Sequence, residues 1–471
     1  MTPPLAEAVP PTHPLDFIVF GTARSGCAAA AQAVNLDPGL FCGTEHFFGS
    51  AELDYAALEM PGAFFADAHR ASTPGHTGES RRLLREKLDQ GVLSAYGNTL
   101  QGYHLQIDRL HAALPRLRAL CVYRCPRDVA DSYDRRAANP VDPWPEGRIG
   151  LFGLADWMIL LACLAEARAT VAVVDFDALF ATDAGMAERV LQYLGGRVPA
   201  AEVLERFRRE AFAGGPQGAA ARPWQAMRYD TFLGEIGAPD LDRTVAEAAM
   251  FGAPTMRETL RDFVAAGFER TIAFVGDTVI KAGRPAEIGW ARRWAFVTLS
   301  GFDNLANPAY DLVRPALGTL VARLAACDVA EGREDVERLL RMLRRRGEAA
   351  DLAGEQLAQS NALAAAGQIS AAVAAARAAV ALAPEQVRLQ VVLGQMLLRA
   401  GRSAEAIEVL ARAIARGFDG VGAHLAHSRA LFREGQPEAA RAAAERAVAA
   451  APANEAARDW WATFAPPSAA G

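Results

Sequence analysis

The stretch FIVFGTARSGCAAAAQAV, residues 17–34, decides how the N-terminal part of the chain folds. Four apolar residues stop at Gly21, a short turn carries Arg24 and Ser25, and an alanine-rich run that favours helix starts directly after Gly26. A buried strand, a glycine-bounded turn and a helix in direct succession form an anion cradle. The free N–H groups of the turn and of the helix N-terminus point at one place. A nucleotide kinase or NTPase needs Lys and then Ser or Thr directly after the second glycine, to hold the terminal phosphates and Mg²⁺. Cys27 and Ala28 stand there, which argues against ATP hydrolysis. The basic residue lies inside the turn instead, as Arg24.

Outward from this turn, strand-like and helix-like segments alternate. DFIVFG (16–21), LRALCVYR (117–124) and ATVAVVDF (169–176) read as buried strands. RDVADSYDRRAA (127–138) and LADWMILLACLAEA (154–167) read as helices between them. The pattern predicts an α/β domain over 15–215, a P-loop-like parallel sheet flanked by helices, with any ligand at the strand C-termini. Residues 46–95 and 140–155 read as irregular polar loops. Residues 1–14 read as a disordered tail, because they lack the basic and apolar regions of a signal peptide. Residues 216–350 read as a mostly helical linker or accessory region, and 214–224 (GGPQGAAARPW) as a flexible loop at its start.

The region 351–465 repeats. Gly367, Gly401 and Gly435 are 34 residues apart, as are Ala372, Ala406 and Ala440, and again Ala379, Ala413 and Ala447. Pro384, Phe418 and Pro452 keep the same register. This period resembles the tetratricopeptide repeat, with EAARDWWATF (455–464) as a capping helix. The resemblance implies an α-helical solenoid that binds a polypeptide partner.

Composition narrows the classes. The net charge of −6 argues against a nucleic-acid-binding surface, so a basic site has to be local. Lys87 and Lys281 are the only lysines, and arginine supplies the other 47 basic residues. Six cysteines without framework spacing suit a reduced, cytoplasmic setting, and no pairing of them suggests a metal site. No segment reaches the ~20 apolar residues of a membrane span.

Three further segments extend the reading of the first turn. In VYRCPRDVADSY, Arg124 ends a strand and Ser132 follows eight residues on, with Pro126, Arg127 and Asp128 between. VAVVDFDALFATDAGMAERVLQYLGG runs from an apolar strand into a helix ending in Leu-Gly. DPGLFCGTEHF puts Glu45 21 residues after Arg24, with His46 beside it. In this order, over roughly 15–200, the motifs resemble the sulfotransferase superfamily, in particular its tyrosylprotein and bacterial branches.

That resemblance implies a domain that uses 3′-phosphoadenosine-5′-phosphosulfate (PAPS) as sulfuryl donor, without a metal. Gly21, Thr22, Arg24, Ser25, Gly26 and Cys27 would hold the 5′-phosphosulfate, and Arg124 with Ser132 the 3′-phosphate. Arg24 would also stabilise charge during transfer. Glu45 would remove the proton of a hydroxyl acceptor on a protein, peptide or glycan, with His46 as the competing base. The chain departs from the family at the loop's usual Thr-Thr pair, here Cys27 and Ala28, and at a usual lysine, here Thr99. Those departures motivate the alternative of a non-catalytic scaffold with a degenerate donor domain. The helix N-terminus is expected to lower the pKa of the Cys27 thiol.

Overall fold

The computed structural model describes residues 14–47, 54–66, 74–140, 144–181, 185–197, 201–203, 205–206, 223–247, 254–345 and 347–464. The expected tail, apart from Pro14, and most of the expected loop at 214–224 lie outside them. Five strands form one parallel sheet in the order β2-β3-β1-β4-β5: β1 Phe17–Phe20, β2 Leu40–Thr44, β3 Ala95–Thr99, β4 Arg118–Tyr123 and β5 Ala172–Asp175. Parallel neighbours need crossovers, and helices supply them, among them Cys27–Leu36, Pro74–Gln90, Pro126–Ala137 and Gly150–Glu166. β1 is central. The chain first leaves it for β2 and β3, then crosses to β4 and β5, so the switch in direction falls at β1. A crevice at the strand C-termini opens at such a point.

Three of the five strands are apolar runs in the sequence; β2 and β3 are not. β3 reads AYGNT, yet all five residues are buried. Its glycine has a packing reason, since a Cβ on Gly97 would lie 1.9 Å from the ring of Phe17, its register partner on β1. Asn98 is fully buried and satisfied: its amide accepts from the His46 N–H (3.2 Å) and donates to the His46 carbonyl (3.1 Å) and the Tyr103 hydroxyl (2.6 Å). On one face of the sheet, the small side chains Ala30, Ala31 and Val34 pack with Leu120, Val174 and Leu191. Alanine lets the first helix sit close to the strands.

The stretch 46–95, read as irregular, contains the helix Pro74–Gln90. Its buried stripe is Ser80, Leu84 and Lys87, an i, i+4, i+7 pattern that two polar residues disguise. Lys87 donates to the carbonyls of Asp37 and Leu40 at the end of the first crossover helix. Burial pushes its pKa down to about 8.

The chain divides into two compact units, residues 1–278 with 298–314, and residues 279–297 with 315–471. Much of the stretch read as a linker thus belongs with the sheet. Within the first unit, Asp230 pairs with Arg127 at 3.2 Å, Tyr229 donates to Asp134 at 3.2 Å, and the Tyr123 hydroxyl donates to Asp242. Among the described residues no helix is long and apolar enough to cross a membrane.

Three antiparallel helix pairs dominate the second unit: Glu348–Ala365 with Ile369–Leu382, Val387–Arg399 with Ser403–Ala415, and Val421–Arg433 with Pro437–Ala450. Gly367, Gly401 and Gly435 end the first helix of each pair at φ near 75°, where glycine is favoured. The following N–H groups, of Gln368, Arg402 and Gln436, return to the carbonyls of Leu363, Leu397 and Leu431 at 2.9, 2.9 and 3.0 Å. Ala372, Ala406 and Ala440 are fully buried. Ser360 and Ser428 each donate to the carbonyl of the alanine twelve residues on, at 2.9 and 2.6 Å. Gly394 holds that register in the middle pair, where a Cβ would meet Leu410 at 2.4 Å. Glu455–Ala462 closes the array, with the Trp460 indole N–H donating to Ser428 at 2.8 Å.

Candidate functional site

The residues singled out from the sequence gather at the C-terminal ends of the strands. β1 runs into the turn at Gly21, where a Cβ would lie 2.3 Å from Ser25 Oγ and 2.5 Å from the Val122 carbonyl. The Ser25 N–H bonds the Thr22 carbonyl at 3.1 Å, tightening the turn. Gly26 caps the helix at φ 100°, and Phe176, just after β5, fills the space beside it, 2.3 Å from where a Cβ would be. Arg24 adopts φ 68°, a left-handed conformation that costs a non-glycine residue roughly 1–3 kcal/mol.

Three side chains of the turn face inward. Thr22 is 3 % exposed, Ser25 1 % and Cys27 8 %, and Ser25 Oγ lies 3.2 Å from Cys27 Sγ. The turn therefore offers an anion its backbone rather than these hydroxyls. Cys27 differs from expectation: burial pushes its thiol up to about 12, with the charge of Glu45 adding to the rise. Loss of solvation outweighs the pull of the helix N-terminus.

Two motifs about a hundred residues apart in sequence meet here. Arg24 Nε donates to Ser132 Oγ at 3.0 Å, and Arg124 Nη1 donates to the Arg24 carbonyl at 3.1 Å. The Arg124 guanidinium lies over the Phe176 ring, 5.0 Å from its centroid, and Nε is 4.0 Å from Asp128. Ser132 is buried and stands on the helix Pro126–Ala137, which begins directly after β4. Burial lowers the pKa of Arg24, and the charges of Arg136, Arg124 and Arg135 lower it further. A guanidinium does not lose its proton in a protein, so the lowering registers three like charges acting on Arg24, with Asp128 beside one of them, Arg124, at 4.0 Å.

Across the sheet, Glu45 follows β2 at φ 50°. Its N–H bonds the Thr99 carbonyl at 2.8 Å, and its Oε1 accepts from Gln101 Nε2 at 3.1 Å. His46 is fully buried, with its ring 4.8 Å from Phe64 and 4.9 Å from Phe47 between centroids. Glu45 is partly exposed, whereas the His46 ring is closed off from solvent. Thr99 is buried at the end of β3 and presents no cation there.

Sequence reasoning missed Arg135, Arg136, Gln101 and Phe176. The two arginines carried a usable signal, because they follow Ser132 by three and four positions on one helix and so share its face. Gln101 and Phe176 carried none, since only the sheet topology brings them to the site.

No family model, curated protein or solved structure matches the chain. Its own residues therefore carry the functional reading.

Proposed function

We propose that the chain is a PAPS-dependent sulfotransferase acting on a hydroxyl of a protein, peptide or glycan. The observation that carries this reading is the convergence of Arg24, Arg124 and Ser132 beside a glycine-bounded turn at the switch point of a parallel sheet. The donor set suits a nucleotide with two separate anionic groups. The turn Gly21–Gly26 offers backbone N–H groups, and the end of β4 offers guanidinium and hydroxyl groups. When bound, the donor supplies the sulfuryl group to be transferred. The backbone of the turn orients that end, Arg124 and Ser132 hold the 3′-phosphate, and Glu45 takes the acceptor proton, with its carboxylate steadied by Gln101.

The 34-residue register of the helix pairs supports a tetratricopeptide array that recruits a polypeptide. Unpaired cysteines throughout the described residues suit a cytoplasmic setting. A second reading, a scaffold with an inactive donor domain, draws on the buried Cys27 thiol and on Thr99, which leave the site without the side-chain donors that usually hold the sulfuryl end.

Glu45→Gln separates the two. Transfer of radiolabelled sulfuryl from PAPS to a panel of peptide and glycan hydroxyls should fall about 10²–10⁴-fold, with affinity for 3′-phosphoadenosine-5′-phosphate unchanged. Transfer that survives this change would remove Glu45 as the base. Binding without transfer in the unmodified protein would favour the scaffold.

A further inference from the structure

We propose that an acidic polypeptide segment with an apolar residue among its carboxylates docks on the first helices of the second and third pairs, Val387–Arg399 and Val421–Arg433. This rests on the reading of the repeats as an array that recruits a polypeptide. The two helices carry Arg388, Arg399, Arg429 and Arg433 and not one Asp or Glu. The repeat register puts these side chains on one face. Arg399 and Arg433 are 34 residues apart, as are Leu398 and Phe432, and again Gln395 and Arg429. Positions i, i+3 and i+4 of a helix lie side by side. Gln395, Leu398 and Arg399 therefore form one row, which Arg388 extends two turns back, and Arg429, Phe432 and Arg433 form the other. The rows adjoin: Arg433 Nη1 donates to the Leu398 carbonyl at 2.8 Å, and the Gln395 amide lies 3.3 Å from where a Cβ on Gly422 would be.

All four arginines are exposed. Among the described residues none of them pairs with a carboxylate. The second helices differ, for Arg377 pairs with Glu405 at 2.5 Å and Arg441 with Glu445 at 3.2 Å. The acids nearest in sequence stand in the turns, as Glu385, Asp419 and Glu434, and Asp419 lies 2.7 Å from His424 Nε2. The first helix of the first pair has the opposite sign, with Asp351 and Glu355 exposed and no basic residue. The basic face is thus two helices wide, on a chain whose net charge is −6. Such a local excess attracts carboxylates and steers their approach. Phe432 stands between Arg429 and Arg433 in the row and is 50 % exposed, while the rings of Trp460 and Phe464 hold it edge-on at 5.5 and 5.6 Å between centroids. A ring fixed at the surface beside two cations suits an apolar side chain flanked by acids. A polypeptide supplies both groups from one chain, whereas a polyanionic glycan supplies only the charge.

Fluorescence anisotropy on the full chain tests this with short labelled peptides that place one Phe among Glu, Gln or Lys residues. The Glu peptide should bind saturably at low salt and be released near 1 M salt, where screening acts within about 3 Å. The Gln and Lys peptides should bind at least about 10-fold more weakly. Arg388→Glu combined with Arg399→Glu changes two exposed, unpaired side chains, so Tm should hold. Affinity for the Glu peptide should fall at least about 10-fold, as two attractions become repulsions. Arg441→Gln, on a second helix, should leave that affinity unchanged. Equal binding of the Glu and Gln peptides, or full affinity in the double variant, would overturn the inference while polypeptide recruitment stands. If the double variant loses heparin or single-stranded DNA but keeps the Glu peptide, the face serves another polyanion, and the inference is likewise overturned. If the unmodified protein binds none of the peptides, the recruiting reading falls, and the inference with it.

Discussion

In the helical unit, Ala372, Ala406 and Ala440 are fully buried at one register, and each glycine turn closes with the same backbone bond. In the turn after the central strand β1, Arg24 sits in a left-handed conformation, three other arginines press charge onto it, and Gly26 stands where no side chain would fit. The first region repeats the same local rules at each of its three glycine turns. The second breaks them at several adjacent positions and is held by contacts from distant parts of the chain. Where local preference and global structure disagree in so small a volume, function is the usual reason. Regularity marks the repeated helices, and conflict marks the candidate site.

The comparison sharpens if each kind of region is broken in turn. Gly26→Ala should have the largest effect. The added Cβ meets the Phe176 ring at 2.3 Å on a backbone at φ 100°. Strain and clash together should weaken bisphosphate binding by at least about 100-fold, read by calorimetry, while thermal unfolding of the helical unit stays where it was. Retained affinity would mean that the turn does not shape the site.

Lys87 tests a polar group buried for structure alone. Its folded-state pKa of about 8 lies below the ordinary 10.5, so the folded protein releases this proton first as pH rises. The unfolded chain then binds more protons, and stability should rise between about pH 8 and 10.5, by up to about 3 kcal/mol. Denaturant midpoints for Lys87→Met should lack that rise relative to the unmodified protein. Parallel pH curves for the two would show that Lys87 titrates normally.

Ala406→Leu overfills a contact between paired helices and should cost about 1–3 kcal/mol in the helical unit. A lowered Tm with unchanged bisphosphate affinity would separate the two units in function. A simultaneous loss of affinity would join them.

The same contrast explains what the sequence made legible. The repeats were visible because packing of small residues returns every 34 positions and needs no knowledge of the rest of the chain. β1, β4 and β5 were visible as apolar runs. β2 and β3 were hidden, because Gly97 and Asn98 are chosen for a ring across the sheet and for a buried backbone, not for strand propensity. Arg24, Arg124 and Ser132 could be found by spacing. That Arg24 bonds Ser132 could not, since the strand order alone brings the two together. The inward burial of His46 and Cys27 likewise depends on neighbours supplied by remote segments: Phe64 from a short helix, Thr99 and Asn98 from β3.

The most direct measurement is calorimetric titration of the full chain with 3′-phosphoadenosine-5′-phosphate, with ATP–Mg²⁺ as the control. Saturable binding of the bisphosphate at one site, and none of ATP, is the predicted result. No heat with the bisphosphate, or equal affinity for ATP, would contradict the assignment of the Arg24–Arg124–Ser132 cluster to a 3′-phosphorylated donor.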